Sequence, residues 1–390
     1  MNPFSIRVIL VTLLISGCGP DDRPHQNQNQ NPDSHGPYTE LSDCLLAGGE
    51  LVIAETRELD AVDISALAIS SDGSILTGED LGAVNHLFRG FDVETRAFDP
   101  DIHQEMNLLL PAGGQKITTL AFSADGSTAV AGDENGQLGL VTLSETGAGD
   151  IRFWGSVSEA AIQTVTASTD GATVAWLDAS YTGQPRLWSD VVFAGTPPEP
   201  LQTHLWNGHA TGWLRNGSLW MIAGDWYGIP LIEIRLTADP TATIESWFLR
   251  PEEFSGSGGT ITALLPVLDE TQLFVAGHRE FEDHGFIALV EISEIDETAR
   301  IDSLSEPGLS TLGLLKLEEH RPHQAHILAG DKVALTLGEA SDLIAWDLES
   351  LTALSTATFE GLLSTAIDPD GQTLIGGTLS GELTLFACQR

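Results

Sequence analysis

Three histidines at three-residue intervals, His320, His323 and His326, stand beside Glu318 and Glu319 in the run Glu-Glu-His-Arg-Pro-His-Gln-Ala-His. Three imidazoles can hold zinc with a fourth position left for water, the arrangement of a hydrolytic centre. Spacing of three gathers such rings on a helix, whereas Pro322 and the surrounding strand-like pattern argue for extended chain. The expectation is therefore a solvated loop and no metal. Acidic turns recur at Asp80, at Asp133-Glu-Asn-Gly136 and at Asp225. Calcium is the ion that such oxygen-rich turns would take, but Asp, Asn and Gly are also what tight turns require for backbone reasons, so no cofactor is expected.

Other residues are suited to contact rather than catalysis. Six of the nine tryptophans fall between Trp176 and Trp226, and aromatic side chains supply rigid apolar area in cores and interfaces. Most are expected in the core. Trp226 and Tyr227, in the turn-like Gly224-Asp-Trp-Tyr-Gly228, are the pair expected to face a protein partner, together with Arg279 and His284 in the excursion from Gly277 to Gly285. Motifs of enzymes are missing: there is no Gly-x-Ser-x-Gly elbow, Walker loop, Gly-x-Gly-x-x-Gly after a strand, His-Glu-x-x-His or complete EF-hand loop.

Charge narrows the partners. The 390 residues carry 56 Asp and Glu against 17 Lys and Arg, a formal net charge of -39. Nucleic-acid binding draws its affinity from cations on the protein, so this class is excluded. With 42% hydrophobic and 19% charged residues the chain folds rather than remaining disordered. Only three lysines occur, Lys116, Lys316 and Lys332; an acidic, lysine-poor surface suits either a saline habitat or simply an acidic exported protein.

Residues 1–17 read as a secretory leader, with Arg7 ahead of an apolar run too short to span a bilayer. The stretch Leu14-Ile-Ser-Gly-Cys18 resembles the bacterial lipobox, which implies that Cys18 receives a diacylglycerol and becomes the mature N-terminus. Two or three acyl chains hold a protein stably at a membrane. Gly19, in place of Asp, is similar to the sorting pattern of outer-membrane lipoproteins of enteric bacteria. Residues 18–37, rich in Gln, Asn and Pro, offer nothing apolar to bury and are expected as a disordered tether. The expected location is the bacterial cell envelope, lipid-anchored at the outer membrane. In an oxidising compartment the two remaining cysteines, Cys44 and Cys388, are expected to pair.

A repeat decides the architecture of residues 38–390. Compare Ile64-Ser-Ala-Leu-Ala-Ile-Ser-Ser-Asp-Gly73, Ile117-Thr-Thr-Leu-Ala-Phe-Ser-Ala-Asp-Gly126, Ile162-Gln-Thr-Val-Thr-Ala-Ser-Thr-Asp-Gly171 and Leu363-Ser-Thr-Ala-Ile-Asp-Pro-Asp-Gly371. Each is a short strand closed by Asp-Gly, a dipeptide that supplies positive φ angles to hairpin turns. A second strand follows and ends near glycine, at Gly78, Gly132 and Gly377, and then a third; Leu343 to Phe359 shows the return into a fourth. With degenerate copies near His209, Ile261 and Gln324 the count is seven, at about fifty residues each. Pro266 interrupts an inner strand and Asp-Gly is replaced in the fifth and sixth copies, so six or eight units remain compatible.

The strand-Ser-x-Asp-Gly phrase and Ala345-Trp-Asp-Leu348 resemble WD40 and YVTN-type propellers. The likeness covers almost all of the mature chain, although only one Trp-Asp pair occurs and the buried His-Ser-Asp-Trp network of that family is expected to be mostly missing. It implies an all-β, seven-bladed β-propeller of four-stranded antiparallel blades, closed by an N-terminal strand that lies against the last one. That closure would bring Cys44 to Cys388 as a staple. The function expected is a noncatalytic protein-interaction scaffold with partners at the cell envelope. A lipoprotein propeller of the outer-membrane assembly machinery is an analogue with a different blade count. The rival is a metal-dependent lactonase or hydrolase, which in similar propellers uses a metal held by carboxylates in the central channel.

Overall fold

The computed structural model describes residues 41–390 except 60–62, 81–82, 88, 94–95, 100–104, 110–114, 124–125, 127, 143–149, 168–172, 180–185, 190–206, 215–217, 227–228, 238, 249–258, 268–269, 280–283 and 293–310. Residues 1–17, Cys18 and the segment to residue 37 thus lie outside the described residues. Helix α1 (Leu41–Leu46) precedes β1 (Glu50–Glu58). The first sheet contains β2 (Ala66–Ile69), β3 (Ile75–Gly78) and β4 (Ala83–Leu87); after a ribbon of β5 (Phe91–Asp92) and β6 (Ala97–Phe98) it adds β7 (Glu105–Leu109). The second is β8 (Ile117–Phe122), β9 (Thr128–Asp133), β10 (Gln137–Thr142) and β11 (Asp150–Ser156), and the third β12 (Ile162–Ala167), β13 (Thr173–Asp178) and β14 (Arg186–Ser189). The fourth is β15 (Asn207–Leu214), β16 (Leu219–Trp226), β17 (Ile229–Leu236) and β18 (Asp239–Phe248). The fifth is β19 (Gly259–Val267), β20 (Gln272–Arg279), β21 (His284–Glu291) and β22 (Thr311–Glu318). The sixth is β23 (Pro322–Ile327), β24 (Val333–Gly338), β25 (Asp342–Asp347) and β26 (Thr352–Thr358). The seventh joins β27 (Leu362–Ile367), β28 (Leu374–Thr378) and β29 (Glu382–Gln389) to β1. All strand pairs are antiparallel, and no described helix is long and apolar enough to cross a membrane.

Second strands are buried on both faces: every residue of β3, β9, β13, β24 and β28 is inaccessible. That is why they read as continuous runs of small and apolar residues rather than alternating ones. Each sheet is packed between two others, and among the described residues six apolar clusters are each shared by two consecutive sheets, the seventh and first included. The sheets approach most closely at the ends of their second strands, where glycine makes a notch. A Cβ on Gly78 would lie 2.5 Å from Cγ2 of Ile117, and one on Gly132 would lie 2.6 Å from Cγ2 of Ile162. Gly377 leaves the same space for Ile64. The isoleucine that opens one sheet thus fills the notch left by the glycine of its neighbour.

The Asp-Gly turns work differently from the sequence expectation. Among the described residues of these turns, glycine alone takes positive φ, at Gly73 (81°), Gly126 (70°) and Gly371 (66°). Three residues before each glycine a side-chain oxygen takes over: Ser70 Oγ accepts from the Ser74 amide (3.1 Å), Ser123 Oγ from Thr128 (3.0 Å) and Asp368 Oδ1 from Thr373 (2.9 Å). These side-chain caps satisfy the amides a tight turn leaves unpaired. Pro266 does not interrupt its strand either. It pairs with Leu273 in β19, an edge strand, where half the amides have no ladder partner to lose.

Strand β1 lies antiparallel to β29, with Leu51 opposite Cys388. The Cys44–Cys388 disulfide spans 344 residues, with the two Cα atoms 6.0 Å apart. Gly49 sits against both sulfurs, and a Cβ there would come within 2.5 Å of Cys44 Sγ. Two outcomes follow from this packing. Gly132→Ala should lower the urea-unfolding free energy by about 1–3 kcal/mol, because a close-packed wall must shift to admit one methyl. Replacing both Cys44 and Cys388 by serine should cost about 2–5 kcal/mol, and hydrogen exchange should then show β1 losing amide protection before β9 or β24.

Candidate functional site

Six of the seven first strands carry the same irregularity near their start, where the ladder to the second strand shifts register: Thr118, Gln163, His209, Thr262, His323 and Leu363 each stand unpaired between two paired neighbours, while β2 pairs without a shift. Such bulges re-aim a side chain. Here the re-aimed or adjacent group bonds to the first carbonyls of the next sheet. Ser65 Oγ donates to Ile117 O (2.8 Å), Thr118 Oγ1 to Ile162 O, Thr262 Oγ1 to Pro322 O (2.8 Å), His323 Nε2 to Leu363 O (3.3 Å) and Ser364 Oγ to Ile64 O (2.9 Å).

These first strands, from β2 to β27, line one cavity of about 470 Å3. Although the chain carries a net charge of -39, the described lining contains no Asp, Glu, Lys or Arg. Its polar groups are hydroxyls, the amides of Gln163 and Gln324, and the imidazoles of His209, His323 and His326. Burial pushes the His326 imidazole down to about 4, against the opposing pull of the Thr365 backbone. The ring is still partly reached by solvent, because protein surrounds it while one side borders the cavity. Burial also lowers His323 and His278; nearby Arg321 adds to the effect at His278. His323 and His326 on the cavity wall are thereby held towards the neutral form.

The three histidines of the metal candidate are not in a solvated loop. His323 and His326 belong to β23 and face the cavity, while His320 is buried just before that strand. His320 Nδ1 meets Asp342 Oδ2, its Nε2 meets Thr336 Oγ1 at 2.8 Å, and Trp346 Nε1 donates to the same Oγ1 at 2.8 Å. This is the buried His-hydroxyl-Asp-Trp network expected to be mostly missing, assembled here at the one Trp-Asp pair with threonine in place of serine. Gly338 gives the ring its space, since a Cβ there would lie 2.6 Å from Nδ1. The sequence signal was Trp346-Asp347 itself, but without a Gly-His dipeptide upstream His320 was assigned to the zinc candidate instead. Among the described residues no group of three or more His, Cys, Asp or Glu is placed to hold a metal ion.

The acidic turns spend their oxygens locally. Asp133 accepts from the amides of Asn135 (2.9 Å) and Gln137 (2.7 Å) and from Gln137 Nε2 (2.8 Å). Asp80 forms an ion pair with Lys116 at 3.1 Å and donates its amide to Asp63 Oδ1. Burial and the neighbouring Asp80 raise the Asp63 carboxyl. Asp225 lies within β16, paired with Asn207 and Pro230.

Trp226 ends β16 opposite Ile229, so its backbone is strand rather than turn, and Tyr227 lies outside the described residues. Arg279 ends β20 and His284 opens β21, which narrows the supposed excursion to residues 280–283, also outside them. Trp176 and Trp220 are fully buried, and Trp220 Nε1 donates to Thr211 Oγ1 at 2.6 Å. Sequence reading missed one feature, the buried ion pair of Glu233 and Arg235 in β17, 2.8 Å apart and 0% and 1% exposed. The alternation Leu-Ile-Glu-Ile-Arg-Leu reads as a strand with one wet face, but both faces of a middle strand are covered. Trp220 stands directly opposite Arg235 on the ladder.

No family model matches the chain, and no curated protein matches it. Among solved structures it is similar to the β-propeller domain of Myceliophteria thermophila Cps50 (Swd1), with a TM-score of 0.62 and 14% identity over 85% of this chain and 99% of that one. The fold is therefore that of a β-propeller, built from antiparallel sheets of three to four strands.

The depressed histidines carry a pH consequence. The unfolded chain takes up protons at His326 before the folded one does, so stability is full above about pH 6.5 and falls as pH drops towards 4; His326 alone accounts for on the order of 3 kcal/mol across that span. Urea midpoints measured from pH 7 to 5 should decline, and His326→Gln should flatten that decline.

Proposed function

We propose that this chain is a seven-bladed propeller, closed by β1, that acts as a noncatalytic protein-interaction scaffold held at the bacterial outer membrane through lipid on Cys18. One observation carries the noncatalytic part: the cavity that would house a metal-dependent hydrolase offers no carboxylate among its described lining. The histidines nearby are engaged with Thr336, Asp342, Leu363 and Thr365. The blade reading is supported by first strands that pack against one another in sequence order, with β27 against β2, and by β1 sharing the sheet of β27 to β29. The lipobox-like leader supports the anchor, and an excess of 39 negative charges favours a partner with a basic face.

Two experiments test this reading. Cys18→Ala should move the protein from the membrane to the soluble fraction, and continued sedimentation with membranes would remove the lipid anchor. Crosslinking in native membranes followed by affinity purification should recover a defined protein whose yield falls as salt rises from 50 to 500 mM, concentrations chosen to shorten the screening length. Repeated recovery of the chain alone would remove the scaffold reading.

A further inference from the structure

The cavity has a polarity of its own, and its individual groups can be read. Thr365 donates its amide (2.7 Å) and its hydroxyl (3.1 Å) to Gln324 Oε1. That hydroxyl has one proton, so in its 2.9 Å contact with His326 Nε2 it accepts. Nε2 of His326 therefore carries the ring proton, and Nδ1 is left as a bare acceptor on a ring that stays neutral. The same pair of bonds fixes the Gln324 amide with its oxygen spent and its NH2 group left to donate. Thr119 Oγ1 accepts from the Val165 amide (3.2 Å), which leaves its O–H as a donor. Gln163 Oε1 is buried without a hydrogen-bond partner, a state that costs free energy unless something else supplies a donor.

Two acceptors and two donors are thus carried by side chains of β8, β12 and β23 that line one cavity, with no formal charge among them, and Leu67, Leu120 and Leu264 line it too. A cation drawn in by the surrounding field finds no carboxylate on the described lining to replace its water. An anion meets that field and finds no Lys or Arg among the described lining residues. A neutral molecule with many hydroxyls fits, because a hydroxyl both donates and accepts and rotates to suit either. The volume of about 470 Å3 falls within the range of small-molecule sites, about 300–1,000 Å3. We infer that the cavity binds a neutral carbohydrate of mono- to disaccharide size, held by His326 Nδ1, Gln163, Gln324 and Thr119. This goes beyond the scaffold reading and does not depend on a protein partner.

The test uses the mature full chain. Titration calorimetry is run with glucose, galactose, maltose and trehalose, with the charged analogues glucuronate and glucosamine, and with N-acetylglycinamide as a neutral amide. At least one neutral saccharide should bind, and its charged analogue should bind at least tenfold more weakly. Gln163→Leu and Gln324→Leu should each weaken it about tenfold, while Glu349→Gln on an exposed turn leaves it unchanged. If either leucine variant fails to fold, 15N spectra of the wild-type imidazoles decide: saturating saccharide should shift the Nδ1 resonance of His326 and leave that of His320 in place. Failure of every neutral saccharide to bind the folded protein, equal affinity for a charged analogue, binding of the amide alone, or an unmoved His326 Nδ1 would each overturn the assignment.

Discussion

The narrowest approach between sheets governs this structure. Where the second strand of one sheet ends and the first strand of the next begins, backbone must come close to backbone, and a side chain has no room. Glycine at 78, 132 and 377 opens the space, and Ile117, Ile162 and Ile64 fill it. At Thr118, Thr262 and His323 the bulge turns a hydroxyl or imidazole onto the neighbour's carbonyl, and Ser65 and Ser364 reach the next sheet from beside it, so an amide ladder that cannot continue from sheet to sheet is replaced by side-chain bonds. Dispersion and hydrogen bonding meet at a single residue step, and it recurs around the cavity because the repeat recurs.

The same step decides the electrostatics. Residues on the first strands sit where solvation is poor, and unpaired charge is costly there. Serine, threonine, glutamine and histidine are the polar residues of the described lining there. A chain with a formal charge of -39 therefore encloses a space whose described lining is uncharged. Buried Glu233 and Arg235 form a bonded pair, as burial demands.

The two ends of the described chain are joined by a separate device. Strand β1 completes the sheet of β27 to β29, and a crosslink across 344 residues holds it there. An outer strand has neighbours on one side only and is the first candidate to fray; the disulfide removes that route. Helix α1 adds Leu41 and Leu45 to the apolar cluster of the sixth and seventh sheets, so the tie is packed as well as covalent.

The repeat, the strand order within each unit and the pairing of Cys44 with Cys388 were legible in the residues, because local turn chemistry and a fixed period express themselves in sequence. His320 was not: its partners Thr336, Asp342 and Trp346 come from two later strands, and a histidine among histidines resembles a metal site until those strands are folded beside it. Glu233 and Arg235 were not legible for a related reason, since alternation reports that a strand has two faces but not that a neighbouring sheet covers the second. What the sequence determined by itself was the unit and its turns, through bonds between residues a few positions apart. Only the tertiary structure decided which polar groups share a cavity and that none of the described ones is charged, because that depends on seven strands distant in sequence lining one space.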